Sequence, residues 1–252
     1  MPMKSVLILA AVIPAAVLLW KVYQADRLER EPVSLLLSLV FWGVVATELA
    51  ALSEQAGILL LDHWLRPREP LTWRMDWVPV GAVSSRKDTL YDVLLYFGVV
   101  AVSEEGIKYL LLRCRTWHHP EFNCTFDGVV YAVTLSLGFA LWENIHYVLS
   151  YGFSTALARA VTAVPGHACF GVFMGTWYGL AKRASLRGQT GKSLLLRLLA
   201  VGIPMLLHGV YDYIAAARLQ SFGWIFLPFV GVLFLVSWQL VRLMSRRDGY
   251  IQ

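Results

Sequence analysis

Apolar runs of roughly 20 residues, long enough for a helix to cross a bilayer, recur along the chain with charged residues collected between them. They fall at about 4–22, 33–61, 89–112, 125–150, 156–181, 195–217 and 221–243. This pattern predicts an all-α fold, a polytopic transmembrane helical bundle, because a lipid-embedded backbone must satisfy its own hydrogen bonds. The second run is too long for one straight span and carries Glu48 and Glu54, so it tilts, kinks or ends in an interfacial helix. The expected count is therefore seven or eight spans. Connections are short except Asp62 to Asp88, a stretch with Trp, Pro and mixed charge expected to overhang one mouth of the bundle as a flap. No repeat or linker interrupts the pattern, so residues 1–252 are expected to form one membrane-embedded domain. The first run has a single early lysine and no small-residue cleavage site, which favours a retained span over a signal peptide.

A few polar residues break the apolar runs, and they are costly. A charged side chain near the middle of a span costs about 2.5–3.5 kcal/mol on insertion scales. The third run nevertheless contains SEEGIKYLLL, with Glu104, Glu105 and Lys108 within little more than one helical turn. Spacings of three and four put Lys108 on the face of both acids. One lysine neutralises one glutamate; the second carboxylate is left for catalysis or for a cation. The fourth run contains FALWEN, with Glu143 four residues after Phe139. The fifth contains HACFGVFMGTWYG, in which His167 heads a stripe of Gly171, Gly175 and Gly179. Packing of a neighbouring helix accounts for the glycines but not for the histidine. The sixth contains HGVYD, with Asp212 one turn from His208, the spacing at which a carboxylate holds an imidazole. At 1.5 Å per residue, Glu104, Glu143, His167 and His208 lie between about 10 and 22 Å from the outer ends of their spans. Isolated salt bridges have no reason to share a level; one polar site does.

Composition adds the compartment. Of 252 residues, 58% are hydrophobic and 15% charged, too apolar for a soluble domain of this length. The net charge of +5 suits loops facing anionic lipid, and no nucleic-acid motif or basic arm is present. Lys and Arg are more numerous on the side bearing Arg113, Arg115, Lys182, Arg183 and the C-terminal Arg246 and Arg247. That places the C-terminus in the cytoplasm and the N-terminus and the 62–88 loop outside the cell membrane. Cys114, Cys124 and Cys169 make no disulfide framework. Cys114, His118, His119 and Cys124 have the wrong spacing for a standard zinc site and are expected to form an ordinary loop, with Cys169 a small core residue.

The ordered motifs EEGIK, FALWE, HACFG and HGVYD, read as EExxK, FxxxE, HxxxG and HxxxD on successive spans, resemble the PrsW family of membrane-embedded peptidases. Wider relatives include CAAX-type prenyl endopeptidases and bacteriocin-processing enzymes. The string from Phe126 to Asn144 and the DRLEREP segment after the first span are also similar to the family, whose core covers about residues 88–215. The resemblance implies an intramembrane protease that cuts a single-pass membrane protein, the known family role being first cleavage of an anti-sigma factor. On that basis the expected catalytic set is Glu104, Glu105, Lys108, Glu143, His167, His208 and Asp212. Glu104 or Glu105 activates water and Lys108 tunes the pair. The histidines stabilise the oxyanion or, with Glu143 as third ligand, hold a metal at Glu143, His167 and His208. Zinc is the ion such a set would take, and a metal-free glutamate–histidine mechanism is the alternative. The rival class is a proton-coupled transporter using the same acids and the His208–Asp212 pair; a non-catalytic scaffold for client helices is a third. Cleavage of a single-pass substrate, lost on changing Glu104, Glu105 or His208, separates the peptidase from both.

Overall fold

The computed structural model describes residues 3–65, 89–216 and 223–251. The expected flap at 62–88 falls outside these from residue 66 on; its first residues continue the second helix. All of the named elements are helical. They are α1 (Met3–Ala25), α2 (Val33–Leu65), α3 (Thr89–Val93), a π-helical stretch Leu94–Val100, α4 (Ala101–Thr116), α5 (Asp127–Tyr151), α6 (Phe153–Val161), α7 (Ala163–Leu186), α8 (Thr190–Ala216) and α9 (Gly223–Arg246). Among the described residues the nearest approach to a sheet is one antiparallel bridge between Cys124 and Tyr250.

Five helical stretches are long and apolar enough to cross a membrane: Val33–Leu65, Asp127–Tyr151, Phe153–Leu186, Thr190–Ala215 and Trp224–Arg246. Val12–Ala25 is a shorter apolar helix. Among the described residues, five of the expected seven or eight spans are thus shown by length and hydropathy. The third run falls short because its α-helical part, α4, has 16 residues and carries Glu104, Glu105 and Lys108.

The second and fifth runs differ in continuity. The second run is a single helix of 33 residues, about 50 Å long at 1.5 Å per residue, with no break inside it. The fifth run, in contrast, is not one helix. It breaks at Thr162, whose backbone leaves the helical region at φ −122° and ψ −69°. Pro165 explains the break: its ring would clash with the carbonyl of Val161 in a continuous helix, yet it is tolerated in the first turn of α7. Gly152, at φ +84°, supplies the turn that sends α6 back from the end of α5.

Helix α5 is the axis of the bundle, and most of its residues are buried. Small residues let its neighbours reach it. A Cβ on Gly171, Gly175 or Gly179 of α7 would run into the backbone or side chains of Ala132–Ser136, Gly128–Val129 or Thr125. Gly43 of α2 and Gly138 of α5 meet backbone in the same way. The small-residue stripe therefore packs a helix closely, as the sequence pattern implied. The periphery is apolar instead of polar: Leu37, Phe41 and Leu52 on α2, Leu198 and Leu206 on α8, and Leu227, Leu235 and Trp238 on α9 are exposed. Such a surface fits lipid as its solvent.

Candidate active site within the bundle

The antiparallel order of the helices sets where their polar residues meet. Glu104 and Glu105 open α4, Glu143 lies near the end of α5, His167 near the start of α7 and His208 near the end of α8. All five therefore fall toward the same end of the bundle. The π-helical stretch runs directly into α4, which carries the two acids. Gly209 presses against the ring of Phe97 in that stretch, where a Cβ would collide with it. The close approach carries the neighbouring His208 to Glu105.

Lys108 lies at the centre of the constellation and is fully buried. Its ammonium donates to Glu104 Oε2 at 3.0 Å and Glu105 Oε1 at 2.8 Å. It also reaches His167 Nδ1 at 3.2 Å and sits 3.7 Å over the Phe139 ring. Phe139, the first residue of the FALWE motif, thus provides the aromatic face of the lysine site. His167 Nδ1 accepts from the lysine, which leaves its Nε2–H to donate to Glu143 Oε2 at 2.9 Å. His208 stacks on Phe170 with ring centroids 4.8 Å apart. Its Nδ1 is 2.9 Å from Glu105 Oε1 and its Nε2 is 3.3 Å from Asp212 Oδ2.

The two imidazoles are arranged alike. Each presents Nδ1 inward, 4.0 Å (His167) and 3.9 Å (His208) from Glu104 Oε2. Each has its outer Nε2 held by a carboxylate, Glu143 in one case and Asp212 in the other. Carboxylates in that place fix ring orientation and raise ligand basicity. Donor atoms of Glu104, Glu105, His167 and His208 all lie within 4.8 Å of one another, and all four residues are buried. Glu105 Oε2 is buried without a hydrogen-bond partner among the described residues. A nitrogen–oxygen set of this kind, with an uncommitted carboxylate oxygen, is chemically suited to a catalytic metal. Glu143, expected as a ligand, is placed behind His167 and outside that quartet; Glu105 stands within it.

Arg159 is a residue of the cluster that the sequence reading did not single out. It approaches Glu143 Oε2 to 2.7 Å, donates through Nε to Asn144 Oδ1 at 3.1 Å and stacks 3.8 Å over Tyr147. The contact with Glu143 is an ion pair without hydrogen-bond alignment. A charge inside the presumed fifth span was the signal for it, by the reasoning applied to Lys108. Glu54 of α2, noted in the sequence only as an oddity of a long span, lies close enough to interact with Glu104, Glu143, Asp212 and His208. Ser53, beside it, shares a 2.8 Å hydrogen bond with Ser103. The three cysteines are free, and Cys114, His118, His119 and Cys124 form no cluster of metal donors among the described residues. Burial pushes the Cys124 thiol up to about 12, which leaves it an inert core group.

Residues 31–241 match the model of a family described as PrsW family intramembrane metalloprotease. Curated relatives align over most of the chain. Protease PrsW of Geobacillus kaustophilus is 32% identical over 97% of this chain and 93% of its own. Protease PrsW of Bacillus subtilis is 32% identical over 89% and 88% respectively. Protease PrsW of Clostridioides difficile is 31% identical over 84% and 80%. No solved structure matches the chain.

Proposed function

Because the chain belongs to the PrsW family of intramembrane proteases, we propose that it is an endopeptidase whose Glu104, inside the bundle, activates the water that cleaves a membrane-anchored protein. The observation that carries this reading is the meeting of donors from α4, α7 and α8 within 4.8 Å at Glu104, Glu105, His167 and His208. Of the two acids, Glu104 keeps slight exposure, 7% against 0% for Glu105. It is the one that water reaches.

Glu104 takes a proton from water and returns it to the leaving amine, as a general base and then acid. Glu105 is held between Lys108 and His208 and keeps both in place. Lys108 offsets one of the two acidic charges and holds Glu104 in place. His208, held at Nε2 by Asp212, turns its Nδ1–H from Glu105 to the developing oxyanion as substrate enters. Glu143, braced by Arg159, does for His167 what Asp212 does for His208. Burial under α6 and α7 excludes bulk water and strengthens these interactions. A metal ion, when bound, would be held by Glu104, Glu105, His167 and His208 and would supply Lewis acidity to the scissile carbonyl.

The bundle has seven spans in this reading, with α3, the π-helical stretch and α4 counted as one and α6 and α7 as another. Its C-terminus is cytoplasmic and the site lies toward the outside. A single-pass protein of the anti-sigma factor type is the substrate this orientation suits. Purified enzyme in lipid, incubated with a single-pass substrate, tests the proposal. Cleavage that disappears in Glu104→Gln and His208→Ala, with thermal unfolding preserved, supports it. Undiminished cleavage in Glu104→Gln would remove that residue as the base.

A further inference from the structure

A second group of acids lies at the other end of the bundle and has no part in the chemistry above. Asp26 follows α1, Glu31 precedes α2 and Asp127 opens α5; each offers a carboxylate oxygen within 4.8 Å of the others. All three are buried, with exposures of 3%, 5% and 1%. Two of them are partly engaged. Glu31 Oε2 accepts from the Tyr131 hydroxyl at 2.7 Å, and Asp127 Oδ2 accepts from the backbone amides of Asn123 and Cys124 at 3.0 and 2.6 Å. Asp26 is not: among the described residues neither of its oxygens has a well-formed hydrogen bond, and burial beside other acids raises its carboxyl to about 6, with the Glu31 amide opposing the rise. Among the described residues no Lys or Arg makes an ion pair with any of the three. The nearby Arg30 guanidinium sits 5.5 Å over the Tyr23 ring.

An unpaired buried carboxylate facing two others is expensive unless a positive charge joins it. We propose that Asp26, Glu31 and Asp127 bind a hard divalent cation, Mg2+ or Ca2+, that ties the DRLEREP connection to the start of α5. The donors are all oxygens, the preference of these ions and not of zinc. Asp248 stands beside the group. One of its oxygens accepts from the Phe126 amide at 2.8 Å and the other is buried and unsatisfied. The C-terminal tail pairs with the same loop through Thr125 to Gly249 and Ile251 to Asn123. A cation there would join the end of α1, the α1–α2 connection, α5 and the tail. It would lie about 24 Å along α5 from Glu143, counted at 1.5 Å per residue, and so would act on stability and not on the peptide bond.

The rival is neutralisation by protons, since Glu31 and Asp127 approach closely enough to share one. Tb3+ serves as the probe on the full-length, metal-stripped protein in detergent. Excited tyrosine transfers energy to a bound Tb3+, and Tyr131 lies directly on Glu31. Sensitised emission should appear in wild type and in Glu105→Gln, and Ca2+ or Mg2+ should displace it. Asp26→Asn should weaken Tb3+ by more than about tenfold through loss of a charged ligand. The same cations should raise the thermal midpoint of wild type and leave that of Asp26→Asn unmoved. Glu31→Gln must behave like Asp26→Asn and serves if the latter does not fold. Emission lost in Glu105→Gln but kept in Asp26→Asn, or a thermal midpoint insensitive to both cations, overturns the proposal. Neither readout uses proteolysis, so its failure is distinct from failure of the peptidase reading.

Discussion

Glu104 and Glu105 are neighbours in sequence but occupy different places. Glu105 is fully enclosed and accepts from Lys108 and His208; Glu104 retains the more open position. Glu104→Gln should therefore abolish cleavage, by the 10²–10⁴-fold typical of a lost general base, while thermal unfolding stays close to wild type. Glu105→Gln should lower both, because Lys108 and His208 then share a weaker acceptor in a buried site. A cleavage assay paired with a thermal scan separates the two variants. Glu143→Gln and Asp212→Asn each remove the anchor of one imidazole. Each should cost about 10–100-fold in activity or metal affinity, the loss being read by cleavage rate and by zinc titration of the purified protein. That these residues gather in one place was legible in the sequence. The division of labour was not: spacing says that Glu143 faces the site, but only packing places it behind His167.

The contacts between helices decide whether those residues meet. Gly175 has no room for a larger side chain because α5 backbone lies against it. Gly175→Ala should destabilise the protein by about 1–3 kcal/mol, the usual cost of overpacking. Gly202 of α8 faces open space. Gly202→Ala should be neutral or stabilising by about 0.5–1 kcal/mol, the helical preference for alanine. Thermal unfolding of the two variants side by side measures the difference. Gly209→Val would push Phe97 and the π-helical stretch away from α8, drawing His208 from Glu105. Activity should fall further than stability, and kinetics combined with a thermal scan reads that ratio. The glycine periodicity announced a close helix contact on α7; that the partner is α5 came from the tertiary structure. The π-helical turns had no comparable signal, since Leu94–Val100 reads as an ordinary apolar run. The break at Thr162 had one in Pro165.

For the molecule as a whole, the exposed leucines and aromatics of α2, α8 and α9 require an apolar surrounding, and the protease activity of the family is set into that surrounding. Metal dependence belongs at this scale, because its donors come from three helices. A chelator that removes a catalytic zinc should abolish cleavage, and zinc should restore it, with elemental analysis near one ion per site. If Glu104 acts without a metal, chelation leaves the rate unchanged. Protease accessibility of a C-terminal tag in inside-out against right-side-out vesicles checks the orientation argued from Lys and Arg: cleavage is expected in the inside-out vesicles alone.

By itself the sequence determined the class of the protein. Length and hydropathy of the apolar runs force helices in lipid, and charges inside them are too costly to be incidental. EEGIK, FALWE, HACFG and HGVYD contain the residues that the fold brings together. What the tertiary structure decided is which atoms meet. Lys108 stands between Glu104, Glu105 and His167, Arg159 joins Glu143, and Asp26 lacks a cationic partner among the described residues. These pairings depend on how closely separate helices approach and how each is rotated about its axis. Local spacing cannot carry that information, because it fixes neighbours only along one helix.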